Sequence, residues 1–198
     1  MESQRTLCLF QANGGTFFWC YSTYRLYPSL CKGKRIRRIF FTYYLHKTLL
    51  AVNAVENFRY RIIGEDVYVF DRIDASATIL RDDKTFGFSL VEFDENLATF
   101  AEITKKEIAR IQITPGLITR DFEINLIHFS AVPWIDFTSY SHARSFTWPD
   151  SCPKISYGKM TEDKGQKFMA IAVHVHHGLA DGYHVGQFLT LLQELMNE

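Results

Sequence analysis

Histidines are concentrated towards the C-terminal end of the chain. Four of the seven lie within eleven residues: His174, His176, His177 and His184. His177 begins an H-x-x-x-D-G pattern, completed by Asp181 and Gly182, between a long apolar stretch and a helical pattern. A neutral imidazole accepts protons near neutral pH because its pKa is about 6.5. Asp181 can brace such a turn, and Gly182 can adopt backbone conformations that other residues resist. The pattern alone is short enough to arise by chance, and it makes His177 a candidate general base.

The same histidines allow a metal-binding alternative. Side chains alternate along a strand, so His174 and His176 share one face and could bind zinc together with His184. No carboxylate or cysteine completes this set at a familiar spacing, and the four cysteines contain no C-x-x-C pair. We therefore expect no metal site, and we expect His174 and His176 to be hydrogen-bonded or surface residues of a strand.

Two further blocks contain serines that could take part in a reaction. Residues 130–140 read S-A-V-P-W-I-D-F-T-S-Y and begin with Ser130, and residues 153–159 read P-K-I-S-Y-G-K around Ser156. Together with H-H-G-L-A-D-G-Y-H-V at 176–185, these blocks resemble the signatures of the chloramphenicol acetyltransferases, in the same order and at matching separations. Shorter matches at 51–53 and 58–62 extend the resemblance to about residues 39–198.

The resemblance implies an activity and a mechanism. Members of this family transfer the acetyl group of acetyl-CoA to the C3 hydroxyl of chloramphenicol, which gives antibiotic resistance. His177 would be the general base, and Ser130 would donate its hydroxyl to the tetrahedral oxyanion. Transfer would be direct, in a ternary complex, with acetyl-CoA as the donor and without an acyl-enzyme. The chain agrees with this, since it contains no G-x-S-x-G elbow.

The resemblance also implies supporting roles and an assembly. Ser156 would help to hold the transition state through water, and Asp181 and Gly182 would support the site structurally. Phe86 and Phe88 match positions on the aromatic wall of the chloramphenicol pocket, although core packing is an alternative for them. The implied assembly is a homotrimer with active sites between subunits, the base coming from one subunit and most of the acceptor pocket from its neighbour.

Composition excludes several other classes of protein. The 198 residues include 22 Lys plus Arg and 22 Asp plus Glu, so there is no net field for nucleic acid or an anionic membrane. Apolar residues make up 47% of the chain, which excludes a disordered protein, yet no apolar run approaches the roughly 20 residues of a membrane span. The N-terminus lacks the continuous apolar region of a signal peptide. We therefore expect a cytoplasmic protein with reduced thiols.

The hydrophobic patterns predict an α+β fold, with helices packed in one layer against a mixed, largely antiparallel sheet. Three helices are predicted. The first spans 40–57 and the third spans 183–196. The second is predicted because the apolar residues between Leu97 and Ile111 fall on one helical face. Asp94 is the predicted N-cap of the second helix. The predicted strands span 58–63, 67–70, 77–80, 86–93, 122–131, 154–160 and 167–177. The basic residues from Lys32 to Arg38 indicate a solvated loop.

Residues 1–38 depart from the family pattern. They lack its W-x-R-x-x-x-F-x-F-like element, which supplies an arginine partner for Asp181 and part of the acceptor pocket. We interpret them as an atypical segment, consistent with a frame change, in front of a chloramphenicol acetyltransferase-like domain at 39–198. If Asp181 is buried, its carboxylate needs another cation as a partner. The candidates are Arg25, if residues 1–38 fold back over the sheet, and Arg144, in the loop after the 130–140 block. We therefore expect reduced stability and weak or no activity on chloramphenicol.

Two alternative functions stay open. A dihydrolipoamide acyltransferase core shares the H-x-x-x-D-G pattern, but the P-W-x-x-F block at 133–137 favours the antibiotic enzyme. An inactive trimeric remnant would keep the motifs without the N-terminal segment.

Overall fold

The computed structural model describes residues 17–26, 34–141 and 150–197. Its centre is a six-stranded mixed sheet. The strands are β1 (Phe17–Leu26), β4 (Asp74–Leu80), β5 (Phe86–Phe88), β6 (Leu126–Ala131), β7 (Lys154–Asp163) and β8 (Gln166–His176). Their order across the sheet is β1-β8-β7-β6-β4-β5. Strands β4, β6 and β7 run parallel to one another, and the other neighbours are antiparallel. A separate hairpin joins β2 (Tyr60–Ile63) to β3 (Asp66–Val69).

Three α-helices of the described chain complete the fold: α1 (Lys34–Ala54), α2 (Leu97–Ile113) and α3 (Gly182–Asn197). On α1, the ring of Tyr44 lies 5.8 Å from that of Phe129 and 4.8 Å from that of Tyr157, so this helix covers the face of the sheet to which these rings point. On α3, Phe188 stacks at 4.7 Å on Phe58, which belongs to a short 3-10 turn after α1. The contacts confirm the predicted α+β class.

Two pairs of consecutive strands, β2–β3 and β7–β8, are hairpins whose turns contain a glycine. Gly64 has a φ of +63° between β2 and β3, and Gly165 has a φ of +75° between β7 and β8. This left-handed conformation is open to glycine without steric cost. The apolar face of α3 consists of the buried Val185, Phe188, Leu192 and Met196, and Leu189 and Leu195 pack against the core half-buried.

The helix starts differ from their predictions. Helix α1 begins at Lys34, so the basic residues from there to Arg38 lie in a helix and not in a loop, and the proposed boundary at residue 39 falls inside that helix. The N-cap of α2 is Asn96, whose side chain accepts hydrogen bonds from the N–H groups of Ala98 and Thr99. Asp94 instead accepts from the N–H of Asn96 at 2.8 Å.

The N-terminal segment contributes a strand that the sequence patterns did not predict. Strand β1 pairs antiparallel with β8 over ten residue pairs, from Phe17 opposite His176 to Leu26 opposite Lys167. It covers the outer edge of the strand that leads to His177. No helix of the described chain has the length and apolar character that a membrane span requires.

Candidate active site

Ser130 and Ser156 lie side by side on the central strands. They are opposite each other in the parallel pair β6–β7, and their hydroxyl oxygens are 2.7 Å apart. Ser156 is fully buried and Ser130 is half-buried. Because Phe129 points towards α1 and side chains alternate along a strand, Ser130 faces the side of the sheet opposite the helices. Either hydroxyl can be the donor in this hydrogen bond, and when Ser156 donates, the proton of Ser130 stays available for another acceptor.

Phe86 and Phe88 are brought to the same face as the two serines. Phe88 is opposite Thr78 on β4, and the preceding residue of β4, Ala77, is opposite Phe129 on β6. Phe88 and Ser130 therefore lie in about the same row across the sheet, two strand spacings or roughly 10 Å apart. The Phe86 ring is 44% exposed and lies 6.0 Å from the Phe88 ring. Both rings are placed to line a surface beside the serines.

His177 occupies the turn between β8 and α3. The turn is held by the N–H groups of Leu179 and Ala180, which donate to the carbonyl of His176 at 2.9 and 3.0 Å. Asn57, which the sequence reading did not single out, donates from its side-chain amide to the carbonyl of Leu179 at 2.7 Å. His177 itself is half-buried. These bonds fix the backbone that carries the imidazole.

The structure places Asp181 differently from the expectation of a buried carboxylate that needs an arginine. Its side chain is 52% exposed and lies 2.8 Å from Nδ1 of His184. It also accepts hydrogen bonds from the N–H groups of Tyr183 and His184 at 2.9 and 3.4 Å. Partial burial alone would raise the pKa of Asp181, but these donors and the His184 ring together lower it. Asp181 is thus an N-terminal cap of α3.

The other expectations for this turn also change. Gly182 is the first residue of α3, so it has a helical backbone conformation that any residue adopts, and the special conformation predicted for it is wrong. Strand β1 runs away from the turn, with Arg25 opposite Phe168 at the far end of β8. The backbone of Arg25 therefore lies at the end of β8 remote from Asp181, and Arg144 lies outside the described residues.

His174 and His176 are buried residues with structural contacts. Nε2 of His174 lies 3.0 Å from the carbonyl of Tyr140, which ties the end of the 130–140 block to the sheet. Nδ1 of His176 accepts a hydrogen bond from the N–H of Gly178 at 3.2 Å. Among the described residues these histidines do not assemble with His184 as metal ligands. The zinc alternative drawn from their spacing is therefore wrong.

Ser130 and His177 of one chain lie far apart. Ser130 is opposite Ser156, which is opposite Ala172 on β8, and Ala172 precedes His177 by five residues. With about 3.3 Å per residue along a strand and about 4.8 Å between strands, the two Cα atoms are roughly 15–20 Å apart. A shared reacting atom needs contacts of about 3 Å on both sides. The two residues of one chain cannot therefore act on the same atom.

Comparison with known proteins gives consistent matches. The family model for chloramphenicol acetyltransferase matches residues 26–193. A chloramphenicol acetyltransferase from Bacillus pumilus is 30% identical over 148 residues, which cover 74% of this chain and 67% of that relative. A solved chloramphenicol acetyltransferase superposes with a TM-score of 0.76 at 23% identity, over 99% of this chain and 95% of the other. A probable dihydrolipoamide acetyltransferase from Listeria monocytogenes 4b F2365 has a TM-score of 0.65 at 10% identity, over 98% and 90%. At these identities the two solved structures show the fold alone.

Proposed function

The chain belongs to the chloramphenicol acetyltransferase family, a family of acyltransferases, and on this premise we propose that it acetylates the C3 hydroxyl of chloramphenicol with acetyl-CoA as donor. The observation that carries the proposal is the placement of the family blocks. Ser130 and Ser156 share a hydrogen bond on the face of the sheet opposite the helices, and His177 is held in a fixed turn at the end of β8. The resulting product would give antibiotic resistance.

The proposed reaction is a direct transfer. The imidazole of His177 takes the proton of the acceptor hydroxyl while its oxygen attacks the thioester carbonyl carbon. The Ser130 hydroxyl donates to the oxyanion that forms, while Ser156 acts as the donor in the hydrogen bond between the two serines and so leaves the Ser130 proton available. The tetrahedral intermediate then collapses, the C–S bond breaks, and the proton on His177 passes to the departing CoA thiolate. No residue of the chain becomes acetylated.

We propose that the working unit is a homotrimer with shared active sites. The separation of roughly 15–20 Å between Ser130 and His177 in one chain supports this, because it leaves each residue without its catalytic partner. A closed ring of three chains can place the His177 of one subunit beside the Ser130 and Phe88 surface of the next, at every interface. The reaction is proposed to take place in the cytoplasm.

Turnover of the purified chain tests the proposal. We expect free thiol to be released from acetyl-CoA when chloramphenicol is added, and not when dihydrolipoamide replaces it. His177→Ala should lose the activity, since loss of a general base costs about 10²–10⁴ in rate, while the trimer remains on a sizing column. Turnover with dihydrolipoamide alone would identify the related acyltransferase reaction. A folded trimer without turnover would identify an inactive remnant.

A further inference from the structure

A cluster of three side chains lies outside the residues assigned to acetyl transfer. His128 on β6 and the pair Asp150 and Cys152 before β7 bring a ring nitrogen, a carboxylate oxygen and a sulfur within 4.8 Å of one another. It is the one group of three such ligands found in the described part of the chain. We propose that these residues form a binding site for a thiolate-preferring transition-metal ion, of which zinc is the best match.

The ligand set and its geometry suit zinc. Zinc binds Cys sulfur, His nitrogen and Asp oxygen in tetrahedral sites, with bonds of about 2.0–2.3 Å. Such bonds separate two ligand atoms by about 3.3–3.8 Å, so the three groups need to approach one another by up to roughly 1.5 Å. Three protein ligands leave a fourth position for water.

Neighbouring groups orient the Asp150 carboxylate and the Cys152 thiol. The N–H of Cys152 donates to Oδ1 of Asp150 at 3.0 Å, and Lys154 pairs with the other carboxylate oxygen. The thiol of Cys152 donates to the carbonyl of Ile124 at 3.4 Å. Hydrogen bonds of this kind around metal ligands fix their orientation and are a regular feature of metal sites.

Two cations adjoin the cluster and limit its affinity. Lys154 pairs with Asp150, and the fully buried Arg61 lies beside Cys152. The guanidinium of Arg61 donates to four backbone carbonyls: those of Phe58, Tyr60, Ile124 and Leu126. When a divalent ion replaces the thiol proton, which leaves to solvent, the local charge rises by one. Binding should therefore be weaker than in a cysteine-rich structural zinc site.

Metal binding by the purified chain tests the site without using enzymatic activity, so the outcome is separate from that of the acetyl-transfer proposal. Cobalt(II) alone is the spectroscopic probe, and zinc(II) alone is the competitor. We expect one equivalent of cobalt to give a thiolate-to-cobalt charge-transfer band that zinc removes. Cys152→Ser should lose the band, and His128→Asn should weaken binding at least tenfold.

Matched variants separate this site from other thiols and from misfolding. A variant with Cys8, Cys20 and Cys31 replaced by Ser keeps Cys152 and should keep the band. Far-UV circular dichroism checks each variant, and Asp150→Asn replaces Cys152→Ser if the latter does not fold. Absence of a one-to-one band in the unaltered chain, or a band that survives the loss of Cys152 or Asp150, would overturn the proposal. Preference for copper(I) over zinc would overturn the assignment of the ion.

Discussion

The Ser130 hydroxyl has one neighbouring hydroxyl, that of Ser156 at 2.7 Å, which holds it in place without occupying all its bonding capacity. We predict that Ser130→Ala lowers kcat by about 10²–10³ and leaves KM nearly unchanged, because the oxyanion exists only in the transition state. Steady-state kinetics with chloramphenicol measure this. Ser156→Ala, which leaves the donor present but less oriented, is the matched control and should cost less. A change confined to KM would assign Ser130 to ground-state binding.

Asp181 caps α3 in this chain, and its replacement should affect stability through the cap. We predict that Asp181→Ala lowers the free energy of unfolding by about 1 kcal/mol, because two backbone N–H groups lose their acceptor. Asp181→Asn keeps an acceptor oxygen and should lose less. Urea unfolding of the three proteins gives the comparison. Equal losses for Ala and Asn would show that the charge, and not the cap, supports the turn.

Site residues were predictable from the sequence only where the chemistry is local. The blocks around Ser130, Ser156 and His177 were found because each is a short run with a fixed spacing. The positions of these blocks relative to one another were not predictable, because the register of the sheet, and not the separation in sequence, sets the distance from Ser130 to His177. The His128, Asp150 and Cys152 cluster has no motif spacing, and folding alone brings its members together.

At the scale of elements, α1 anchors the segment before α2 through a buried histidine. Nε2 of His46 lies 3.1 Å from the carbonyls of both Asp94 and Glu95, so it carries the proton that both accept. Its Nδ1 is buried without a hydrogen-bond partner among the described residues. A second proton on this ring would have no acceptor there.

This arrangement predicts a loss of stability in acid. Burial lowers the pKa of His46 in the folded chain below its ordinary value of about 6.5. The unfolded chain then binds more protons than the folded chain in mild acid. The contribution of His46 to the free energy of unfolding is therefore largest above about pH 6.5 and decreases as the pH falls towards the folded pKa. Urea unfolding between about pH 5 and 8 should show this slope, and His46→Gln should reduce it. His128, whose pKa burial also lowers, keeps part of the slope in the variant. An unchanged slope would contradict the assignment to His46.

The elements themselves were partly predictable. Helix α3 and the hairpins followed from apolar periods and turn residues that lie next to each other in the chain. Strand β1 did not, because its partner β8 lies about 150 residues away and an edge strand need not show a clean period. The buried face of α2 includes Thr104 and Glu107, and Glu107 is accommodated by an ion pair with Arg110 at 2.7 Å. A pattern of apolar residues does not predict that polar side chains such as these are buried.

At the scale of the whole molecule, residues 17–26 form an edge strand of the main sheet, and the expected stability loss through an unpaired Asp181 no longer has a basis. We predict that two adjacent proline variants, Tyr21→Pro and Ser22→Pro, destabilise the chain unequally. Along an antiparallel edge strand, N–H groups point alternately to the neighbour and away, and proline removes the N–H. Urea unfolding measures the difference. Two equally small effects would contradict the pairing of β1 with β8.

The separation of Ser130 from His177 makes a sharper prediction about assembly. His177→Ala and Ser130→Ala chains are each impaired in a different part of the proposed site. If one subunit supplies His177 and the next supplies Ser130, mixed trimers contain interfaces with both residues intact. When equal amounts of the two chains assemble at random into closed rings, about a quarter of the interfaces combine an intact His177 with an intact Ser130. Co-expression of the two variants should therefore restore about a quarter of the unaltered activity.

The control for this restoration uses two impaired chains that cannot complement each other. His177→Ala co-expressed with the double variant His177→Ala/Ser130→Ala assembles in the same way but contains no intact His177. Its activity should stay at the level of His177→Ala alone. If the first mixture also stays at that level while size-exclusion chromatography and mass spectrometry show mixed trimers, each chain must use its own two residues. The sheet register would then have to change on assembly, because it separates them by roughly 15–20 Å in the single chain.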